Sequence, residues 1–97
     1  MAKYVVLMNW TDQGVKAAKD TVNRFHQATS MVESMGGKIE TCLWTVGGYD
    51  LITIAEAPDD ETLSAILLTL AGGGNLRTQT LRAFDEHEME QILGKLP

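Results

Sequence analysis

The sequence predicts a small α+β domain in which four antiparallel strands carry two helices on one face, in the order β-α-β-β-α-β, with a further helix at the C-terminal end. Three observations carry this. Runs rich in β-branched and aromatic residues occupy 4–10, 38–45, 49–57 and 76–84. Apolar residues at three- and four-residue spacing fill the stretches between the first and second runs and between the third and fourth. The second and third runs are joined only by Val46-Gly47-Gly48, a connection short enough for an antiparallel hairpin and far too short for a parallel crossover. Together these give the split-βαβ, ferredoxin-like arrangement over a single domain, residues 1–97.

Each element has its own signal. Tyr4 to Trp10 contains no glycine or proline and reads as a strand. Thr11 or Asp12 caps the helix that follows. That helix carries Val15, Ala18, Val22, Phe25, Thr29 and Val32 on one face, and the cap-type pair Asp20-Thr21 marks a place where it can break. A second stripe, Arg24, Ala28, Met31 and Met35, lies well round from the first and implies that another side of the helix also touches something. Gly36-Gly37 ends the helix, because glycine takes the left-handed conformation at little cost. Pro58-Asp59-Asp60-Glu61 opens the next helix with a proline, a cap and acids suited to the helix dipole. Its buried face is Leu63, Ile66, Leu67 and Leu70, and Gly72-Gly73-Gly74-Asn75 stops it. Asp85 with Glu88 is a capping-box pair opening a last helix, with Met89, Ile92 and Leu93 expected inward.

Strand alternation sorts the sheet residues into two sets. Val5, Leu7, Cys42, Trp44, Ile52, Ile54, Leu81 and Ala83 are nearly all apolar and are expected under the helices. Tyr4, Val6, Met8, Trp10, Ile39, Thr41, Leu43, Tyr49, Leu51, Thr53, Thr78, Thr80 and Arg82 form a mixed set, expected on the uncovered face. Such a face is too apolar for bare water, so a second subunit is expected to cover it and enclose a partly polar cavity.

Composition narrows the function classes. The net charge of −5 and the scattered lysines and arginines argue against nucleic acid, which needs clustered cations. A single cysteine, Cys42, forms no internal disulfide and fits a reducing compartment. No apolar run approaches the ~18 residues of a membrane span. Met1-Ala2-Lys3 leads straight into a strand, so no signal peptide and a cytoplasmic location are expected.

Gly48-Tyr49-Asp50, with Thr11-Asp12-Gln13-Gly14, Arg24, Gly36-Gly37, Glu56-Ala57-Pro58-Asp59 and Gly74-Asn75-Leu76-Arg77-Thr78 in order along nearly the whole chain, resembles the GYD family of small bacterial and archaeal proteins. The resemblance implies a place in the dimeric α+β barrel group, where two such sheets pack face to face. It implies no settled activity. The hairpin and its Tyr-Asp entry are also similar to the ligand-binding domain of leucine-responsive (Lrp/AsnC) regulators. No helix-turn-helix precedes it, so DNA binding is not expected.

The candidate site residues are Tyr49, Arg82, Thr80, Thr78, His26 and Trp10, with Gly48, Asp50, Gly36 and Gly37 as the structural motif. Tyr49 and Asp50 are strand neighbours and point to opposite faces. Tyr49 either orients a ligand or plugs a dimer interface. Asp50 is expected to accept backbone N–H groups near the hairpin. Arg82, beside Thr78 and Thr80, suits a small anionic metabolite or an ion pair between subunits. His26 is a general-base candidate by residue type, or else an ordinary surface or half-buried helix residue, and His87 lies in an acidic run. Neither histidine has metal-ligand spacing, and no cofactor is expected. Gly72-Gly73-Gly74 follows a helix and opens a strand, the reverse of a phosphate loop. The expected function is a stand-alone homo-oligomeric small-molecule-binding protein. A cofactor-independent oxygenase or isomerase and a structural oligomerisation module are the alternatives.

Overall fold

A computed structural model describes all residues, 1–97. The chain runs β1 (Ala2–Trp10), α1 (Asp12–Lys16), one 3-10 turn (Ala18–Asp20), α2 (Thr21–Ser34), β2 (Lys38–Trp44), β3 (Leu51–Ala57), α3 (Asp60–Gly72), β4 (Leu76–Ala83) and α4 (Glu86–Leu93). The sheet is antiparallel in the order β2-β3-β1-β4, the ferredoxin-like α+β arrangement that the pattern predicts.

The expected helix after β1 is interrupted at Ala17. Arg24 of α2 donates to the Ala17 carbonyl at 2.6 Å and the Gly14 carbonyl at 3.3 Å, so carbonyls freed where α1 stops are satisfied from the next helix. At the other end of α2, Gly36 takes φ +89°. Gly36 N donates to the Glu33 carbonyl and Gly37 N to the Val32 carbonyl, the double bond of a Schellman stop. Asp59 caps α3 by accepting the Thr62 N–H at 2.7 Å, and hydrogen bonding with the Thr62 side chain and then with its backbone holds the Asp59 carboxyl below the usual range. Asp85 and Glu88 make both bonds of a capping box at α4.

Along β1, β3 and β4 the two sheet faces are the reverse of the expectation. Tyr4, Val6, Met8, Leu51, Thr53, Ala55 and Ala57 are buried beneath the helices, in a core with Leu63 and Ile66 of α3 and Val32 of α2. Val5, Leu7, Ile52, Ile54 and Leu81 lie on the helix-free face, where Val5 pairs with Ile54 and Leu81, and Leu7 with Ile52. Both sets are apolar enough to bury, so hydropathy alone does not choose between them. The choice falls to the phase in which β1 ends and the crossover helices fold back. Polar atoms on the covered face are accommodated individually; Tyr4 donates its hydroxyl to Asp60 at 2.5 Å. In β2, Ile39 faces Ala55 and Thr41 faces Ile54, so Glu40 is an extra residue that reverses the alternation. Cys42 and Trp44 therefore lie on the helix side, as expected, while Thr41 and Leu43 turn to the open face.

The molecule is a slab of 51 × 30 × 18 Å, one sheet and one helix layer thick. Only 12 of 97 residues are buried, because one sheet face has no partner layer. α4 packs only marginally on the rest of the chain. Met89 and Leu93 are 45% and 52% exposed and Ile92 is half-buried, so of the three residues expected inward only Ile92 is partly sheltered.

Candidate functional site

The open sheet face is a continuous apolar surface. At its centre Val5, Leu7, Ile52 and Ile54 are half-buried, and Leu43 and Leu81 flank them at 56% and 46% exposure. One end of this face is charged. Lys3 lies 3.4 Å from Glu40, and Glu40 is held below the usual carboxyl range by hydrogen bonding with Glu56 and then by Lys3.

The hairpin stands at the opposite end. Asp50 Oδ2 accepts the Trp10 N–H at 2.9 Å, its own N–H donates to the Met8 carbonyl, and its carbonyl accepts from Thr45. The first two bonds pin the hairpin to the end of β1, and the third closes the hairpin on itself. Asn9 Nδ2 donates to the Gly48 carbonyl at 2.8 Å. The Tyr49 hydroxyl donates to Gln79 Oε1 at 2.9 Å. Gln79 pairs with Leu7, so Tyr49 reaches over the open face.

Arg82 lies at the far edge of the helix-covered face. It donates to the Lys3 and Ala83 carbonyls, lies 3.9 Å from Glu88 and sits over the Phe84 ring at 4.5 Å. Its guanidinium joins β1, β4 and α4. Thr78 and Thr80 pair with Met8 and Val6 and also belong to the covered face, where Thr80 Oγ1 is enclosed without a partner. His26 is exposed on α2 with its ring 5.6 Å from Phe25. The structure thus brings Tyr49, Asp50 and Gly48 to one sheet end, places Arg82 at the other, and leaves His26 on the helix layer. They do not converge on one space.

A concave space exists elsewhere. α2 and α3 splay apart over the sheet and leave a cleft of ≈ 300 Å³ whose floor includes Val6, Met8, Trp10 and Thr53. Residues expected on the uncovered face therefore floor a cleft within the protomer instead. Cys42 also borders it, and burial pushes its thiol up, away from thiolate chemistry. No group of three or more His, Cys, Asp or Glu side chains is arranged to hold a metal ion. No helix is long and apolar enough to cross a membrane.

One cluster was not assigned a role from sequence. Thr11 Oγ1 donates to the Gly74 carbonyl at 2.6 Å, Thr11 N to the Asn75 carbonyl at 3.1 Å, and Gln13 Nε2 to the Gly73 carbonyl and Asn75 Oδ1, both at 3.0 Å. Gly14 is buried against the Asn75 backbone, where a Cβ would lie 2.1 Å from the carbonyl oxygen. The signal was a glycine in a helix's first turn, where a packing reason outweighs its propensity cost.

A family model described as "GYD domain" matches residues 4–93, and the chain belongs to that family. It is similar to the "Glutamine synthetase and cystathionine beta-lyase binding protein" of Thermus thermophilus, 29% identical over 84 residues that cover 86% of this chain and 88% of the relative.

Proposed function

We propose that this GYD-family chain is a homo-oligomeric binding protein, two copies paired through their open sheet faces, that docks onto another protein. The observation that carries the reading is the aliphatic helix-free face of Val5, Leu7, Ile52 and Ile54. An apolar surface of that kind stays in water only at a large cost. A two-fold pairing of sheets buries it on both copies at once. The name of the Thermus relative, which describes a protein that binds two enzymes, supports a protein partner, and we take glutamine synthetase and cystathionine beta-lyase as the first partners to test. A small-molecule role is a second reading, supported by the cleft between α2 and α3 rather than by the sheet face.

Sedimentation velocity tests the pairing. The native chain is expected to sediment as a dimer or a multiple of it at micromolar concentration. Ile54→Lys removes about 1.5–3 kcal/mol of burial from each copy and strands two ammonium groups in the interface. Association is expected to weaken at least about 100-fold. A folded native monomer at those concentrations overturns the pairing. Biosensor titration of the two enzymes over the immobilised chain tests the partner, and saturable binding of neither removes it.

A further inference from the structure

We infer that the cleft between α2 and α3 binds a small amphipathic carboxylate, with its hydrocarbon body on the sheet and its carboxylate at Arg24. The inference rests on the small-molecule reading above and is independent of the sheet-face pairing.

The walls fit a hydrocarbon. Of the 24 residues around the cleft, 16 are hydrophobic, and its ≈ 300 Å³ is the lower end of the roughly 300–1,000 Å³ typical of ligand pockets. Ala28 and Met31 of α2 face Leu67 and Leu70 of α3 across the gap, and all four remain partly exposed. Apolar side chains turned toward each other with room between them lack a layer that an apolar body supplies. Met8 and Met31, both lining the cleft, adapt their shape to such a body. Arg24, Ala28 and Met31, at i, i+4 and i+7, are three of the four residues of the second helix stripe that the sequence singles out, and Met35, the fourth, lies outside the lining. These three residues line this gap.

The charges fit an anion. Arg24 is the one cation among the lining residues and Glu56 the one acid. Glu56 alternates with buried Ala55 and Ala57, so its carboxylate belongs to the opposite sheet face, where it meets Glu40. No carboxylate therefore opposes an anion within the cleft. The Ala17 and Gly14 carbonyls hold two Arg24 N–H groups and so fix the guanidinium at the junction of α1 and α2. A guanidinium has five donors, and the rest are available to a carboxylate.

The test is an NMR titration of the ¹⁵N-labelled full chain with sodium octanoate, 1-octanol and octylammonium chloride. Saturable amide shifts are expected at Ala28, Met31 and Leu67, with octanoate binding about ten-fold tighter than octanol and octylammonium weakest. Arg24→Gln is expected to erase the octanoate preference while octanol still binds. If that variant does not fold, salt serves instead, since it should weaken octanoate on the native chain and leave octanol unchanged. Ala28→Trp, or the milder Leu67→Phe, is expected to fill the cleft and abolish binding without lowering the melting temperature. Equal affinity for octanoate and octanol overturns the carboxylate assignment and leaves an apolar site. Shifts confined to Val5, Ile52 and Ile54 overturn the cleft as the location. No shift with any of the three probes overturns the site and the small-molecule reading together, and leaves the pairing of sheets untouched.

Discussion

Gly14→Ala tests whether the contact between the start of α1 and the loop before β4 helps hold the fold together. The new methyl would sit 2.1 Å from the Asn75 carbonyl oxygen and 2.9 Å from its carbonyl carbon, more than an ångström inside van der Waals contact with backbone. Backbone has no rotamer to yield, so the loop or α1 must shift. The same carbonyl accepts the Thr11 N–H at 3.1 Å, and its neighbour at Gly74 accepts the Thr11 hydroxyl at 2.6 Å. Losing one or two such bonds costs about 0.5–1.5 kcal/mol each, and overpacking adds about 1–3 kcal/mol. Alanine returns up to about 1 kcal/mol through helix propensity. The terms span about 0.5–6 kcal/mol and centre on a destabilisation of about 3 kcal/mol. For a domain of this size that lowers the melting temperature by at least about 8 °C, measurable by calorimetry or urea unfolding. A variant melting within about 2 °C of the native chain would refute the reasoning, because the loop would then have yielded freely.

Three further outcomes are expected. Tyr4, 3% exposed, has its phenol pushed up to about 12 by burial and then by the hydrogen bond to Asp60. The unfolded value is about 10, so the stabilisation is complete below pH 10 and fades as pH rises through 12. Urea unfolding should show a loss of about 1–3 kcal/mol across that window, and Tyr4→Phe should remove most of that slope. Gly47, at φ +148°, should resist substitution, with Gly47→Ala costing about 1–2 kcal/mol. Gly48→Ala should be near neutral, since that residue has no positive φ and no atom near its missing Cβ; equal melting temperatures for the two would contradict the assignment. Arg82→Met should release α4, seen as faster amide exchange at Glu88–Leu93, and leave octanoate affinity unchanged, because Arg82 lies outside the lining of the cleft; an affinity loss would place Arg82 in a binding site after all.

Much of the molecule was legible in the residue order, because local signals wrote it. The short hairpin connection, the Asp59 and Asp85 caps, the Gly36-Gly37 stop and the cap-type pair at the helix break are all decided by backbone chemistry within a few residues. Strand order followed from connectivity, and the ordered motifs around Gly48-Tyr49-Asp50 pointed to the family. The candidate site was far less legible. Tyr49, Thr80 and Arg82 share a strand-alternation set yet occupy separate places, because sheet phase and edge position are set by the whole fold. Glu40 shows why: one extra residue in β2 reverses which side chains face the helices, and nothing within the strand announces it. The choice of buried face had the same origin. Val5-Leu7-Ile52-Ile54 and Tyr4-Val6-Met8-Leu51 are both hydrophobic enough for a core, so alternation found two faces without ranking them. Only the path of the chain from Trp10 into α1, locked against Asn75, placed the helices over Tyr4, Val6 and Met8 and left the more aliphatic face bare.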